Sequence, residues 1–186
     1  MKIYLASKSP RRHELLKQLG IEFEIVDVDI DETWDNKEIA RHYVTRLAIE
    51  KAKSGLEKIN KNDAIVLGAD TAVVLDDIIL GKAEKQSEAT DMLKTLSGRT
   101  HHVYSAITLV SNNNETTAIS ISRVSFKPLT DEEIEQYCTT GEPLGKAGAY
   151  AIQGKAAKFI ERLEGSYSGV MGLPLYETWN LIQQMK

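Results

Sequence analysis

A chain of 186 residues, 42% apolar and 27% charged, has the composition of a folded domain and enough length to bury a core without staples. Its 23 basic and 27 acidic residues leave a net charge of -4, which argues against a broad basic footprint for nucleic acid or an anionic membrane. Cys138 is the only cysteine, so an intrachain disulfide and a cysteine-cluster metal site are both excluded. No run approaches the roughly 18 apolar residues of a membrane span, and the apolar run near the N-terminus is too short for a signal peptide. The expectation is one cytoplasmic domain over residues 1–186.

In chain order, Lys2 to Ala6 reads as a short strand entering the polar loop Ser7-Lys8-Ser9. Pro10 suits the first position of a helix with Ser9 as its N-cap, Leu15, Leu16 and Leu19 form an apolar stripe, and Gly20 ends it. Glu22 to Val28 predicts a second strand, followed by the acidic loop Asp29-Ile30-Asp31-Glu32. From about Asn36 to Ile59 apolar residues recur at three- and four-residue steps, the pattern of a helix, with Gly55 as a point of interruption. Ala64 to Ala69 is a continuous apolar run ending in Asp70-Thr71, as in a strand buried on both faces. Thr71 to Leu75 and Ile78 to Leu80 flank Asp76-Asp77 as a hairpin. Ser87 is placed to cap a helix that Gly98 closes. His102 to Val110 and Thr117 to Phe126 flank the turn Asn112-Asn113-Asn114, and the phase change between Ile121 and Val124 predicts a bulge near Ser122. Thr130 with Glu133 makes a capping box. Gly141 to Gly154 reads as a folded loop and strand, Lys158 to Leu163 as another strand, and Pro174 starts a closing helix. The pattern is α/β with a mixed, strongly curved sheet.

The chemistry concentrates near the first helix. A helix N-terminus attracts anions, and Arg11 and Arg12 in its first turn oppose the helix dipole unless an anion sits there. Guanidinium groups match phosphate oxygens; the alternative is a solvated pair, or arginines paired with Glu14. Asp70, ending a buried strand, stands where open α/β sheets place ligands, and can hold a divalent cation or take a proton from water; it can equally turn the chain. Lys82 follows the hairpin that could return it to the same cleft. Lys51, on local grounds, is a solvated helix charge. His101 and His102 are adjacent on a strand and face opposite sides, so they form no two-histidine metal site. Cys138 reads as a buried helix residue.

Taken in order, Ser7-Lys8-Ser9-Pro10-Arg11-Arg12, Lys51-Ala52, Gly68-Ala69-Asp70-Thr71, Gly81-Lys82, Leu96-Ser97-Gly98, Gly141-Glu142-Pro143, Lys146-Ala147-Gly148, Ile152-Gln153-Gly154 and Gly172-Leu173-Pro174 resemble the Maf family of nucleoside triphosphate pyrophosphatases across nearly the whole chain. The resemblance implies an inosine triphosphatase-like fold, an elongated mixed sheet with a cleft between two lobes, and a homodimer. It implies hydrolysis of a nucleoside triphosphate to the monophosphate and pyrophosphate with Mg²⁺ or Mn²⁺. By position Asp70 is the base and a metal ligand, and Lys82 is catalytic. Ser7, Ser9, Arg11, Arg12, Lys51, Thr71 and Gln153 contact substrate, with Asp31 and Glu32 as secondary candidates for the cation. Gln153, with Arg12 and Thr71, resembles the subgroup preferring dTTP and UTP. Its amide offers a donor and an acceptor to the O4/N3–H edge that thymine and uracil share.

Three residues depart from the family pattern. Ala83 stands where Pro is usual, which predicts a less rigid Lys82; Gly145 replaces a common Asp; and Ser105 replaces Thr. Two competing readings are a nucleotide-sensing protein without turnover, linked to septum formation, and a hydrolase of non-standard purine triphosphates by analogy of fold.

Overall fold

The computed structural model describes residues 2–35 and 37–185. Seven strands form one mixed sheet: β1 (Lys2–Ala6), β2 (Phe23–Ile25), β3 (Ala64–Leu75), β4 (Ile78–Leu80), β5 (Thr100–Val110), β6 (Glu115–Phe126) and β7 (Ile160–Glu164). Their order is β2-β1-β3-β5-β6-β7, with β4 also paired to β3. The β2-β1-β3 part is parallel and the remainder antiparallel. The helices are α1 (Pro10–Gln18), α2 (Ala40–Ile59), α3 (Gln86–Leu96), α4 (Asp131–Cys138), α5 (Tyr167–Met171) and α6 (Leu175–Gln184).

The central strand organises everything else. β3 pairs with β1 from Lys2↔Ala64 to Ala6↔Gly68, and with β4 only from Val73↔Leu80 onward. On that side residues 69–72 have no strand partner among the described residues, while the opposite edge pairs with β5 without a break from Val66 to Val74. Asp70 therefore lies within a twelve-residue strand, not at its end as the sequence pattern suggests. It still occupies the point where the parallel neighbour stops. The hairpin into β4 forms as expected, with Asp76 and Asp77 at φ 51° and 63°, a conformation Asp tolerates better than most residues.

Successive β3 side chains feed different cores. Ile65, Leu67 and Ala69 pack with Leu15 and Leu16 of α1 and with Leu181 and Ile182 of α6. On the same face, Val73 and Leu75 pack with Leu93, Leu96, Ile134 and Phe159. Thr71 stands between these two cores, which is where the cleft opens. The other face lies under α2, whose approach is unusually close: a Cβ on Gly68 would come 2.1 Å from the Ala48 carbonyl oxygen, and one on Gly55 would come 2.8 Å from Val66. Gly55 does not interrupt α2; it lets the helix sit against the sheet.

Several sequence-based boundaries move. The second strand shrinks to three residues, α2 begins at Ala40, and the expected start at Asn36 lies outside the described residues. α3 begins at Gln86 with Lys85 at its N-cap position, so Ser87 is inside the helix. The Glu88 carboxylate accepts from the Glu84 and Lys85 N–H groups instead, satisfying the N-cap donor and the one just ahead of it. No bulge occurs near Ser122, since β5 and β6 pair in one register throughout; the shift lies between Ser125 and Phe126, against β7. The capping box of Thr130 and Glu133 forms. The segment from Gly141 to Gly154 is a series of turns with a single bridge, Lys82↔Ala147. Lys155–Phe159 is a 3₁₀ turn ahead of β7. Among the described residues no helix is long and apolar enough to cross a membrane.

Candidate active site

A cavity of about 430 Å³ opens at the unpaired stretch of β3, within the range of small-molecule sites. Ser7, Ser9, Arg11, Arg12, Lys51, Asp70, Thr71, Lys82 and Gln153 all line it. All nine candidate residues thus come together from segments spread along the chain between Ser7 and Gln153.

At its floor lies a carboxylate–ammonium chain. Lys51 Nζ is 2.7 Å from Asp70 Oδ1 and 2.7 Å from Glu32 Oε1, and Glu32 Oε2 is 3.0 Å from Lys82 Nζ. Lys51 and Asp70 are both buried, so Lys51 is not the solvated helix charge that its neighbourhood in sequence suggests. The close approach of α2 at Gly68 brings Lys51 onto the Asp70 face of β3. Burial works to raise the Glu32 carboxyl, but Lys51 and Lys82 outweigh it and hold its pKa at about 2. Two side chains of α2 hold the Glu32 loop: Tyr43 Oη donates to the Glu32 carbonyl at 2.8 Å, and Arg46 donates to the Thr33 carbonyl at 3.3 Å. Asp31 turns away, accepting from the Thr33 N–H, and does not line the cavity. Only Glu32 of the two loop acids belongs to the site. No local pattern separates them, because their difference is made by lysines 19 and 50 residues downstream.

The two arginines differ in task. Arg12 donates through Nε to the Gly172 carbonyl at 2.7 Å and reaches Thr71 Oγ1 and Ser7 Oγ at 3.3 and 3.4 Å. Thr71 Oγ1 in turn lies 2.8 Å from Ser105 Oγ, which donates to the Gly169 carbonyl at 2.6 Å. The serine found in place of threonine at 105 therefore retains the hydroxyl contact. Burial lowers the Arg12 pKa while Asp70 works against it; arginine stays a cation throughout. Arg11 has no ion-pair or hydrogen-bond partner among the described residues, and neither arginine pairs with Glu14. Lys146 stands nearby, its pKa lowered by burial first and Arg11 second. Ser9 occupies the N-cap position without a side-chain cap bond, leaving its hydroxyl toward the cavity.

Lys82 is held more firmly than the loss of proline at 83 predicts. Lys82 itself forms an isolated bridge with Ala147, the Gly148 N–H donates to the Gly81 carbonyl at 3.1 Å, and the Gly145 N–H donates to the Ala83 carbonyl at 2.8 Å. Gly145 has φ 70°, which glycine adopts freely. His101 and His102 face opposite sides as expected, His101 fully buried and His102 exposed. Cys138 is buried.

An enclosed cleft with an acid pair at its floor and cations around its rim defines a site for a polyanionic ligand. The chain belongs to the Maf family: the Maf-like protein family matches residues 2–185. The chain is 50% identical over 184 residues to the dTTP/UTP pyrophosphatase of Vibrio parahaemolyticus, covering 99% of this chain and 97% of that protein. With the dTTP/UTP pyrophosphatase of Methylobacillus flagellatus it shares 51% identity over 182 residues, 98% and 92% of the two chains. Among solved structures, the Staphylococcus aureus Ham1 protein is similar with a TM-score of 0.47 and 16% identity, over 70% of this chain and 73% of that one.

Proposed function

We infer that this chain hydrolyses dTTP and UTP to the monophosphate and pyrophosphate. The observation carrying the reading is Lys51, a buried lysine between Asp70 and Glu32 beneath a rim of Arg11, Lys82 and Lys146. Cations placed before substrate arrives neutralise and orient a triphosphate without reorganising during reaction. Asp70, oriented by Lys51, accepts a proton from water as the water oxygen bonds to the α-phosphorus. The bond from that phosphorus to the bridging oxygen breaks, and pyrophosphate leaves with the electron pair. Gln153, exposed on its turn with its amide unpartnered among the described residues, faces the base.

The acid pair also suits Mg²⁺ or Mn²⁺, since magnesium is commonly bound by one or two carboxylates together with substrate phosphates. Among the described residues no group of three or more His, Cys, Asp or Glu could hold a metal ion, so the phosphates would complete the coordination. Asp70 and Glu32 would hold the ion, which when bound supplies charge neutralisation on the phosphates. A sensor without turnover needs the cations alone and gives the acid pair no task.

The test is pyrophosphate release from a panel of nucleoside triphosphates with Mg²⁺ or Mn²⁺. Wild type is expected to turn over dTTP and UTP, and Asp70→Asn to lose about 10²–10⁴-fold in kcat, the range of a general base. Nucleotide binding without pyrophosphate release by the wild type returns the weight to a sensor. Preferential hydrolysis of ITP returns it to purine triphosphates.

A further inference from the structure

Gln153 sits on a tight turn closed by the Gly154 N–H donating to the Ala151 carbonyl at 3.0 Å. Because its own amide is unpartnered among the described residues, the position of that amide depends on what holds the turn. Two side chains behind it do so. Tyr137, buried in the last turn of α4, accepts from the Ala151 N–H at 3.3 Å and donates to Glu142 Oε1 at 2.8 Å. The Glu142 carboxylate accepts from the Lys155 N–H at 2.9 and 3.1 Å. One phenol–carboxylate pair thus grips the turn at both ends.

The fit leaves no slack. A Cβ on Gly154 would lie 2.4–2.5 Å from the Glu142 carboxyl atoms, so a side chain there would push the carboxylate off its partners. Glu142 is itself fixed, its N–H donating to Thr140 Oγ1 at 3.2 Å and its carbonyl accepting from Lys146 Nζ. Burial first, and Glu142 second, push the Tyr137 hydroxyl above its ordinary pKa, keeping it a donor.

We propose that Tyr137 and Glu142 are positioning residues for base selection, a clamp that sets where the Gln153 amide meets the pyrimidine while touching no nucleotide itself. The proposal rests on the reading of Gln153 as the base contact. Displacing a hydrogen-bonding group by a fraction of an ångström weakens the bond to the matching base and leaves a base with the opposite pattern little affected.

The experiment compares kcat and KM for UTP and CTP in wild type, Tyr137→Phe, Glu142→Gln, Gln153→Ala and the double variant Tyr137→Phe/Gln153→Ala. Circular dichroism melts confirm that each is folded. Both clamp variants keep nearly the native volume, so at least one is expected to fold. Each is expected to lower the UTP-over-CTP ratio of kcat/KM by about 3- to 10-fold, the weight of one hydrogen bond. The loss should fall on the KM for UTP, with kcat within about twofold, because the clamp lies outside the phosphate end. The double variant should discriminate no less than Gln153→Ala alone, since both changes remove one interaction.

If Gln153→Ala collapses the ratio while both clamp variants keep it, the clamp is refuted and the base-contact reading survives. Equal losses on UTP and CTP also refute it, because they mark a merely structural pair. If Gln153→Ala leaves the ratio unchanged, the underlying reading falls and takes the clamp with it.

Discussion

Lys51 and Lys82 bind the same carboxylate from opposite environments, and this separates what each contributes. Lys51 has a side chain 9% exposed against Asp70 at 10%, whereas Lys82 is 59% exposed. Removing one partner of a buried ion pair leaves an uncompensated charge and costs about 3–5 kcal/mol; exposed pairs contribute roughly 0–1 kcal/mol. Lys51→Met is therefore expected to lose both turnover and about that much stability, and Lys82→Met to lose turnover at nearly unchanged stability. Urea unfolding of the two variants beside their kcat/KM checks this, and a fully stable Lys51→Met would sink it. The same residues show what sequence could convey. The arginine pair and Asp70 announce themselves by breaking a local rule, cations at a helix N-terminus and an acid in an apolar run. Lys51 and Glu32 break none: a lysine on a helix and an acid in an acidic loop are unremarkable until Gly68 lets α2 down onto β3. Only the family resemblance singles out Lys51, and nothing local singles out Glu32.

At the scale of elements, that descent of α2 can be tested directly. The Ala48 carbonyl that a Cβ on Gly68 would strike is helix backbone, which cannot rotate away. Gly68→Ala should force the helix outward, costing about 1–3 kcal/mol or more as overpacking and parting Lys51 from Asp70. Gly81→Ala, which meets nothing within 4 Å, serves as its control. Thermal melts and pyrophosphate release should fall together in the first and hold in the second; an unchanged Gly68→Ala would mean that the contact is soft. The missed bulge in β6 belongs to this scale as well. Hydrophobic phase fails there because the inward positions are Ser120 and Ser122, both buried. Ser122 Oγ accepts the Ser166 N–H at 2.9 Å and donates to the Ser166 carbonyl at 3.3 Å. Inward serines serve the loop behind the sheet, and alternation read as apolar against polar mistakes their face. Where elements are bounded by proline, a capping box or an acidic turn, as in α1, α4 and the β3–β4 hairpin, the sequence expectation and the structure agree, since local chemistry there decides the outcome.

For the whole molecule, acid stability turns on His101. It is fully buried among Phe126 and Tyr150, with Nε2 2.8 Å from Tyr150 Oη and Nδ1 unpartnered among the described residues. Burial, then the neighbouring His102, lowers its pKa from 6.5 to about 4. The folded protein holds this ring neutral while the unfolded chain protonates it below about 6.5, so stability falls as pH drops from 6.5 toward 4 and this contribution levels off below that. Between pH 7 and 5 the loss is about 2 kcal/mol. His101→Gln keeps a partner for Tyr150 without titrating, and should flatten that part of the profile in urea unfolding at the two pH values. An equal decline in both proteins would assign the acid sensitivity elsewhere. Glu32, with its pKa lowered from 4.5 to about 2, acts in a separate window: its contribution is present above pH 4.5 and lost as pH falls toward 2.

The gap along β3 between the end of β1 and the start of β4 has a consequence beyond catalysis. An open edge in a long apolar strand is a template for a neighbouring chain and a common seed of aggregation. Here that stretch lies at the cavity, which Asp70, Lys51, Glu32 and Lys82 line as a chain of ion pairs. Charge directed onto an exposed edge is one way proteins keep strands from adding to it. The groups that receive the phosphates thereby also act as gatekeepers of solubility, guarding a stretch of the central strand that no neighbouring strand covers.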